Sequence, residues 1–417
     1  MIEECHGSEG KRADQKRERF RKPLSKNLRV RQVRTMSNLR STIQAGVPQT
    51  NSALFHAIRF SVGDPVALLR IDGTQTIAIV RDIEMERAKG QVPADQIACP
   101  ADFTPEGGLS ADREVATAQA AAECLRRNGV SEVVADRALP MSFAHVIQEA
   151  GIRVVCDLEM GVMERRQKSA EDVELLRQAQ GVTEEAIRLA CEMIGRSEAQ
   201  ADGVLHHDGA VLTSERVQAA VNVFLMGKGF SGPAFIVAGG PQGASCHHTG
   251  NGELRTGQPV IVDIFPTSQT THFCGDCTRS VVHGEIPDEV TKMHAAVCEA
   301  KRNACDVLRP GVTGKEVHAA TVETLERLGY HAGFPPEGAP ASYCTMHHGT
   351  GHGIGLDVHE PPLLDATGIA LVEGDALTVE PGLYRKDLGG VRVEDMVVVT
   401  ADGHINLNQL PEGLDWR

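Results

Sequence analysis

Strand-like and helix-like periods alternate along the first part of the chain. Pro65-Val-Ala-Leu-Leu-Arg-Ile and Thr74-Gln-Thr-Ile-Ala-Ile-Val read as two strands, and Asp72-Gly73 between them is a strong hairpin signal. Apolar residues recur at helical spacing from Ala111 to Asn128. A short strand (Glu132-Val-Val-Ala), a helix from Met141 to Ala150 and another strand (Arg153-Val-Val-Cys) follow. Strands alternating with helices predict a small α/β domain over 37–163.

From residue 164 the pattern becomes helical again. Ser169, with Asp172 three positions later, marks a helix N-terminus running towards Met193. Helices near 170–194 and 213–228 precede strand-like runs carrying Asp263 and Asp276. Helices near 288–308 and 314–329 precede runs carrying Glu380 and Glu394, and the two acid pairs have nearly equal separations. This loose duplication predicts a domain over 164–417 built from pseudo-twofold halves, each lending a carboxylate pair to a shared centre.

Residues 1–36 depart from this patterning. They are dense in Lys and Arg with almost no apolar periodicity, which predicts a basic, disordered extension, and Met36 is an alternative start. The whole chain has a formal net charge of −14, which argues against a nucleic-acid binder. No apolar run reaches the length of a membrane span, and the N-terminus lacks the apolar core of a signal peptide. The eleven cysteines are scattered, as reduced thiols are, so the expected compartment is cytoplasmic. The one close pair, Cys274-Gly-Asp-Cys277, lies in a strand-like segment where residues three apart face opposite ways. That argues for space-filling beside Asp276 rather than redox or zinc chemistry.

Candidate chemistry centres on His347-His-Gly-Thr-Gly-His-Gly-Ile-Gly-Leu-Asp-Val-His-Glu360. His348, His352 and His359 stand among glycines that let the backbone approach a ligand. Imidazole is the commonest protein metal ligand. Asp263, Asp276, Glu380 and Glu394 each lie in or beside an apolar run, and acids placed together there repel unless a cation lies between them. One histidine with four carboxylates suits a pair of hard or borderline divalent cations.

The run from His348 to Glu360, with the order Asp, Asp, His, Glu, Glu, resembles the signature of the pita-bread superfamily of proline peptidases and methionine aminopeptidases. It looks most like the aminopeptidase P and prolidase (Xaa-Pro dipeptidase) branch. The resemblance implies a creatinase-like N-terminal domain over 37–163 and a pita-bread catalytic domain over 164–417. It also implies that Asp263, Asp276, His352, Glu380 and Glu394 ligate two metals, Mn2+ first and Co2+ or Zn2+ as alternatives, with Asp276 and Glu394 bridging. His359 would contact substrate, and so would His247, with His248 as its alternative. Arg392 is similar to an arginine of the proline-specific branch.

The implied reaction is hydrolysis of an Xaa-Pro bond by a metal-bridging hydroxide, with Glu380 relaying a proton to the leaving nitrogen. The implied substrate is a small peptide with proline in second position, and the implied assembly a homodimer. Two rival readings keep the fold: a lyase or hydrolase of a small metabolite, and a non-catalytic binding protein. The interval between Asp263 and Asp276 is longer than the family's usual one, which predicts a hairpin extended at Thr267 to Thr271, and Cys274 and Cys277 are unexpected there.

Overall fold

The computed structural model describes residues 40–417. The basic stretch read as a disordered extension, Met36 included, lies outside the described residues. The fold is mixed α/β, as expected.

The first part is a six-stranded sheet in the order Gln96–Ala98, Gln75–Ile79, Val66–Ile71, Thr42–Gly46, Glu132–Ala135, Arg153–Cys156. Asp72 (φ 47°) and Gly73 (φ 69°) make the tight turn between Val66–Ile71 and Gln75–Ile79. Two consecutive positive φ values are what an Asp-Gly pair tolerates and most pairs do not. The helices Arg113–Arg127 and Met141–Glu149 fall within two residues of their predicted bounds. They cover the sheet with Ala118, Ala121, Leu125, Phe143 and Ile147.

Among the elements that the pattern did not predict, besides the edge strand Gln96–Ala98 and the helix Met85–Lys89, are the first two of the described chain. Thr42–Gly46 lies centrally, antiparallel to Val66–Ile71 and parallel to Glu132–Ala135. Ser52–Ile58 is a short helix capped by the side chain of Asn51. Regular structure is therefore present upstream of Pro65, where the first predicted strand starts.

The second part repeats one succession of elements. Helices Ala170–Gly195 and Ser214–Gly227 are followed by a sheet in the order Ile236–Gly239, Pro259–Ile264, Cys277–Val282. Helices Asp288–Asp306 and Gly314–Arg327 are followed by two further sheets. One of these has the order Glu360–Leu364, Gly351–Gly353, Ala376–Val379, Asp395–Val399, His404–Asn406. Helix 170–195 starts in a full capping box, with Ser169 and Asp172 satisfying each other's backbone N–H groups.

Three ionic contacts, two of them buried, tie the start of the second part to its later strands. Lys168 pairs with Glu360 at 2.6 Å, Arg165 with Asp357 at 2.6 Å, and Arg166 with Asp375 at 2.7 Å. The segment extended at Thr267–Thr271 leads to a contact that does cross between the parts. Thr267–Ser268 pairs with Phe230–Ser231, and His272 lays its ring 4.3 Å from that of Phe55 and hydrogen-bonds Ser61.

Behind the site runs a second buried charge network. Arg279 is fully buried; it pairs with Asp395 at 2.8 Å and donates to the carbonyls of Glu394, Leu410 and Pro411. Lys301 also bonds Asp395, and Glu412 at 2.6 Å. Arg279→Met would leave those carbonyls and half of Asp395 unsatisfied in an apolar interior. The expected loss is about 3–5 kcal/mol, because removing one partner strands the other charge. A denaturant titration checks it; an unshifted midpoint would show that the network is dispensable.

Candidate metal centre

Asp263 and Asp276 are brought together by the strand register. Pro259–Ile264 pairs antiparallel with Cys277–Val282, setting Asp263 opposite Thr278. Asp276 stands two residues before Thr278, so alternation along the strand turns both acids to one face. The backbone of Asp276 is clamped by Gln180 of the long helix, which accepts from its N–H at 3.0 Å and donates to its carbonyl at 2.7 Å.

Glu380 and Glu394 arrive on neighbouring strands. They flank the last pair of the ladder between Ala376–Val379 and Asp395–Val399, which matches Val379 with Asp395. Glu394 is joined to the first half by its N–H donating to the Thr278 carbonyl at 3.1 Å. Thr278 Oγ1 donates in turn to its carboxylate at 2.8 Å.

His352 comes from the glycine-rich strand between them. A Cβ on Gly351 would collide with the carbonyl of Thr378, and one on Gly353 with the carbonyl of Glu360. Those glycines let the strand seat His352 deep in the sheet. Its Nδ1–H donates to the Gly353 carbonyl at 3.0 Å, which leaves Nε2 as a lone pair. Nε2 lies 3.7 Å from Asp276 and 3.6 Å from Glu380.

Asp276, His352 and Glu394, all buried, place ligand atoms within 4.8 Å of one another. Asp263 and Glu380 line the same cavity, of about 260 Å³, outside that tight group. The electrostatics suit a cation. Burial, and then the charges of Glu394 and Asp263, pushes the Asp276 carboxyl well above the usual carboxylate range. Burial, then Glu380 and Asp263, does the same to Glu394. Burial lifts Glu380 to about 8 against the pull of Arg392. His352 is lowered to about 4, by burial and then by His359, so its imidazole is uncharged. Asp263 keeps one buried oxygen, Oδ1, with no hydrogen-bond partner. Four crowded acids, a neutral imidazole with a free lone pair and an orphaned carboxylate oxygen fit two divalent cations.

Arg392 pairs with Asp263 at 2.5 Å and stands 3.9 Å from Glu380. It donates to Tyr384 Oη at 3.0 Å; Tyr384 donates to His348 Nε2 at 2.7 Å, and His348 Nδ1–H to the Gly349 carbonyl at 2.7 Å. Burial, then Arg392, lowers His348 to about 3, so this ring too is neutral. The set drawn from sequence omitted Tyr384 and His348 as site residues. His348 stood in the glycine-rich stretch and could have been included on that signal; nothing local marks Tyr384.

His247 and His359 are exposed residues lining the cavity, and the His359 ring lies 4.3 Å from that of His352. Of the two alternatives, His247 lines the cavity, whereas His248 accepts from the Gly250 N–H at 2.9 Å through its Nδ1. Cys274 and Cys277 are buried free thiols, both pushed up by burial, Cys274 to about 12. They hydrogen-bond the carbonyls of Leu356 and Glu394, the packing role expected of them.

Comparison with known proteins places this geometry. The model of metallopeptidase family M24 matches residues 174–401. "Probable dipeptidase PepE" of Mycobacterium tuberculosis is 38% identical over 205 residues, 48% of this chain and 51% of the relative. The Xaa-Pro dipeptidase of Pyrococcus furiosus is 29% identical over 240 residues, 57% of this chain and 61% of the relative. The chain thus spans about half the length of the first of these curated relatives. Among solved structures, the prolidase of Pyrococcus horikoshii superposes with a TM-score of 0.71 at 22% identity, covering 90% of this chain and 95% of that one. An X-Pro aminopeptidase of Thermotoga maritima gives 0.73 at 22% identity, covering 90% and 97%. These structural likenesses are likenesses of fold.

Proposed function

Since the chain belongs to metallopeptidase family M24, we propose that it hydrolyses the bond between an N-terminal residue and a following proline in small peptides. The observation that carries this reading is that Asp263, Asp276, His352, Glu380 and Glu394, all but Glu380 buried, line one cavity, complete and in the order of the family's signature. That completeness also weighs against a non-catalytic scaffold. Bound there, two divalent cations supply an acidified water and polarise the scissile carbonyl. Manganese is the metal proposed, with cobalt or zinc as alternatives, and those five residues would hold it.

The chain's own residues then have separate tasks. Glu380, which lines the cavity, takes a proton from water and returns it to the leaving nitrogen. That return is needed because an amide nitrogen departs as an amine only when it gains a proton, and the ring nitrogen of proline is no exception. His359 and His247, at the cavity surface, hold the reacting carbonyl. Arg392, locked by Tyr384 and Asp263, fixes the carboxylate beside it.

The same reading takes 37–163 as a creatinase-like domain shaping access and 164–417 as the catalytic domain with pseudo-twofold halves. Its other elements are a homodimer and a cytoplasmic protein. The free state of every cysteine among the described residues supports a reducing compartment. None of the described helices is long and apolar enough to cross a membrane.

The test is proline release from Xaa-Pro dipeptides and longer Xaa-Pro peptides by chelated protein, with and without added manganese. Metal-dependent release is expected. Stoichiometric metal binding without cleavage of either would overturn the peptidase reading in favour of a small-metabolite reaction.

A further inference from the structure

Val358 and His359 line the metal-centre cavity, and an acid stands on either side of them in the chain, Asp357 before and Glu360 after. Neither acid lines that cavity. Both turn instead to the stretch that opens the second part. Arg165, in the short helix Val162–Arg166, donates through Nη1 to Asp357 at 2.6 Å, and its Nη2 lies 3.4 Å from Glu360. Lys168 donates to Glu360 at 2.6 Å. Ser52, from the first part, donates to Asp357 at 2.6 Å. One guanidinium thus spans both acids, with the cavity-lining pair between them. A planar fork suits that task better than the point charge of an ammonium.

The stretch carrying these cations is itself fixed. Arg166 pairs with buried Asp375 at 2.7 Å, and the Lys168 N–H donates to the Gly374 carbonyl at 3.2 Å. A Cβ on Gly374 would stand 2.9 Å from the Lys168 nitrogen, so glycine is what lets the two segments come this close.

The loop needs such a hold. Its backbone is tied at Ile354, whose N–H donates to the Ala376 carbonyl at 3.0 Å, and at Gly355, whose carbonyl accepts from the Cys274 N–H at 2.8 Å. From there to His359 the chain follows no strand or helix. His359 is exposed, and its ring meets that of His352 edge-on at 4.3 Å. An edge-on ring contact is weaker than a charge-assisted hydrogen bond. Where His359 stands is therefore set by the backbone between the two gripped acids.

We propose that Arg165 and Lys168 are positioning residues for catalysis. They hold Asp357 and Glu360 from behind the loop and so fix His359 against the reacting carbonyl. This rests on the Xaa-Pro reading above, in which His359 contacts that carbonyl, and deepens it.

The experiment measures Ala-Pro cleavage by the manganese-loaded protein as Arg165→Gln, Asp357→Asn and the two combined, each also in a His359→Ala background. The Arg165 and Asp357 side chains are 14% and 45% exposed, so the fold survives their change, whereas Lys168→Gln would strand a buried charge. Each single variant should lower kcat by about 10- to 100-fold, the cost of a misplaced group, with KM and manganese affinity unchanged. The combined variant should lose no more than Arg165→Gln alone. With His359 gone, neither substitution should cost more than about twofold, because both act through it. Equal losses with and without His359, or an unchanged kcat, would overturn the proposal. A second readout needs no activity: the isotope-labelled His359 ring signal of the metal-free protein, assigned by its loss in His359→Ala. Arg165→Gln should shift or broaden it while leaving that of His145, on the helix Met141–Glu149, in place. An unmoved His359 signal would also overturn the proposal. Failure of wild type on Ala-Pro would instead sink the Xaa-Pro reading, with the ring signal still deciding whether Arg165 places His359.

Discussion

Asp276→Ala should lower kcat/KM for Xaa-Pro cleavage by roughly 10³-fold or more, since metal polarisation supplies several kcal/mol and each 1.36 kcal/mol is a factor of ten. Asp276 belongs to the tightest group of ligand atoms, with His352 and Glu394. Its backbone is held on both sides by Gln180, so the strand keeps its place when the carboxylate is removed. The same substitution should act in the opposite direction on the metal-free protein. Glu394 and Asp263 lose a repelling neighbour, so chelated Asp276→Ala should melt above chelated wild type at pH 8. Metal titration, steady-state kinetics and thermal melts on one preparation test both halves. Loss of activity together with a lower chelated melting point would mean that the carboxylate is structural rather than a ligand.

The second large effect is the pH dependence of the chelated wild type. The Glu380 carboxyl has a value near 4.5 in an unfolded chain and about 8 in the fold, and Asp276 and Glu394 are raised as well. Between those values the folded chain holds protons that the unfolded chain has released. Stability is therefore full below about pH 4.5 as regards Glu380 and declines as pH rises towards about 8. The decline is expected to reach a few kcal/mol. Added manganese replaces the protons as counter-charge, so its stabilising effect should grow across the same window. Melting curves at pH 6 and pH 8, with and without metal, measure this. A metal-induced shift that is equal at both pH values would contradict it.

What the sequence disclosed followed from how local each signal is. The Asp72-Gly73 turn, the Ser169 capping box and the four long helices of the second part depend on neighbours a few residues away, and all were readable. The strand Thr42–Gly46 was not: it offers Ile43 and Ala45 as its buried apolar residues, too short a run for alternation to show. The five residues proposed as metal ligands were legible as types in an order, and the structure brings them to one cavity. What holds them was not. Arg392 reaches Asp263 across 129 residues, and Tyr384 joins His348 across 36. Such pairs leave no trace in local pattern because both partners look like ordinary polar positions. The longer interval before Asp276 was visible as an anomaly, but its use, docking His272 against Phe55, emerges only in three dimensions.

Kinship is recognised over residues 174–401, yet the contacts that neutralise the interior extend past both limits. Lys168, which holds buried Glu360 beside His359, lies upstream. The carbonyls of Leu410 and Pro411 that receive Arg279, the Glu412 carboxylate that receives Lys301, and the Trp416 that packs on Gly195 all lie downstream. A fragment trimmed to the shared segment would carry Glu360 and Lys301 into the interior with part of their counter-charge missing, and Arg279 with two of its carbonyl acceptors missing. The boundary of ancestry and the boundary of cooperative folding are therefore different lines on this chain, and the chemistry of the cleft is supported by the wider one.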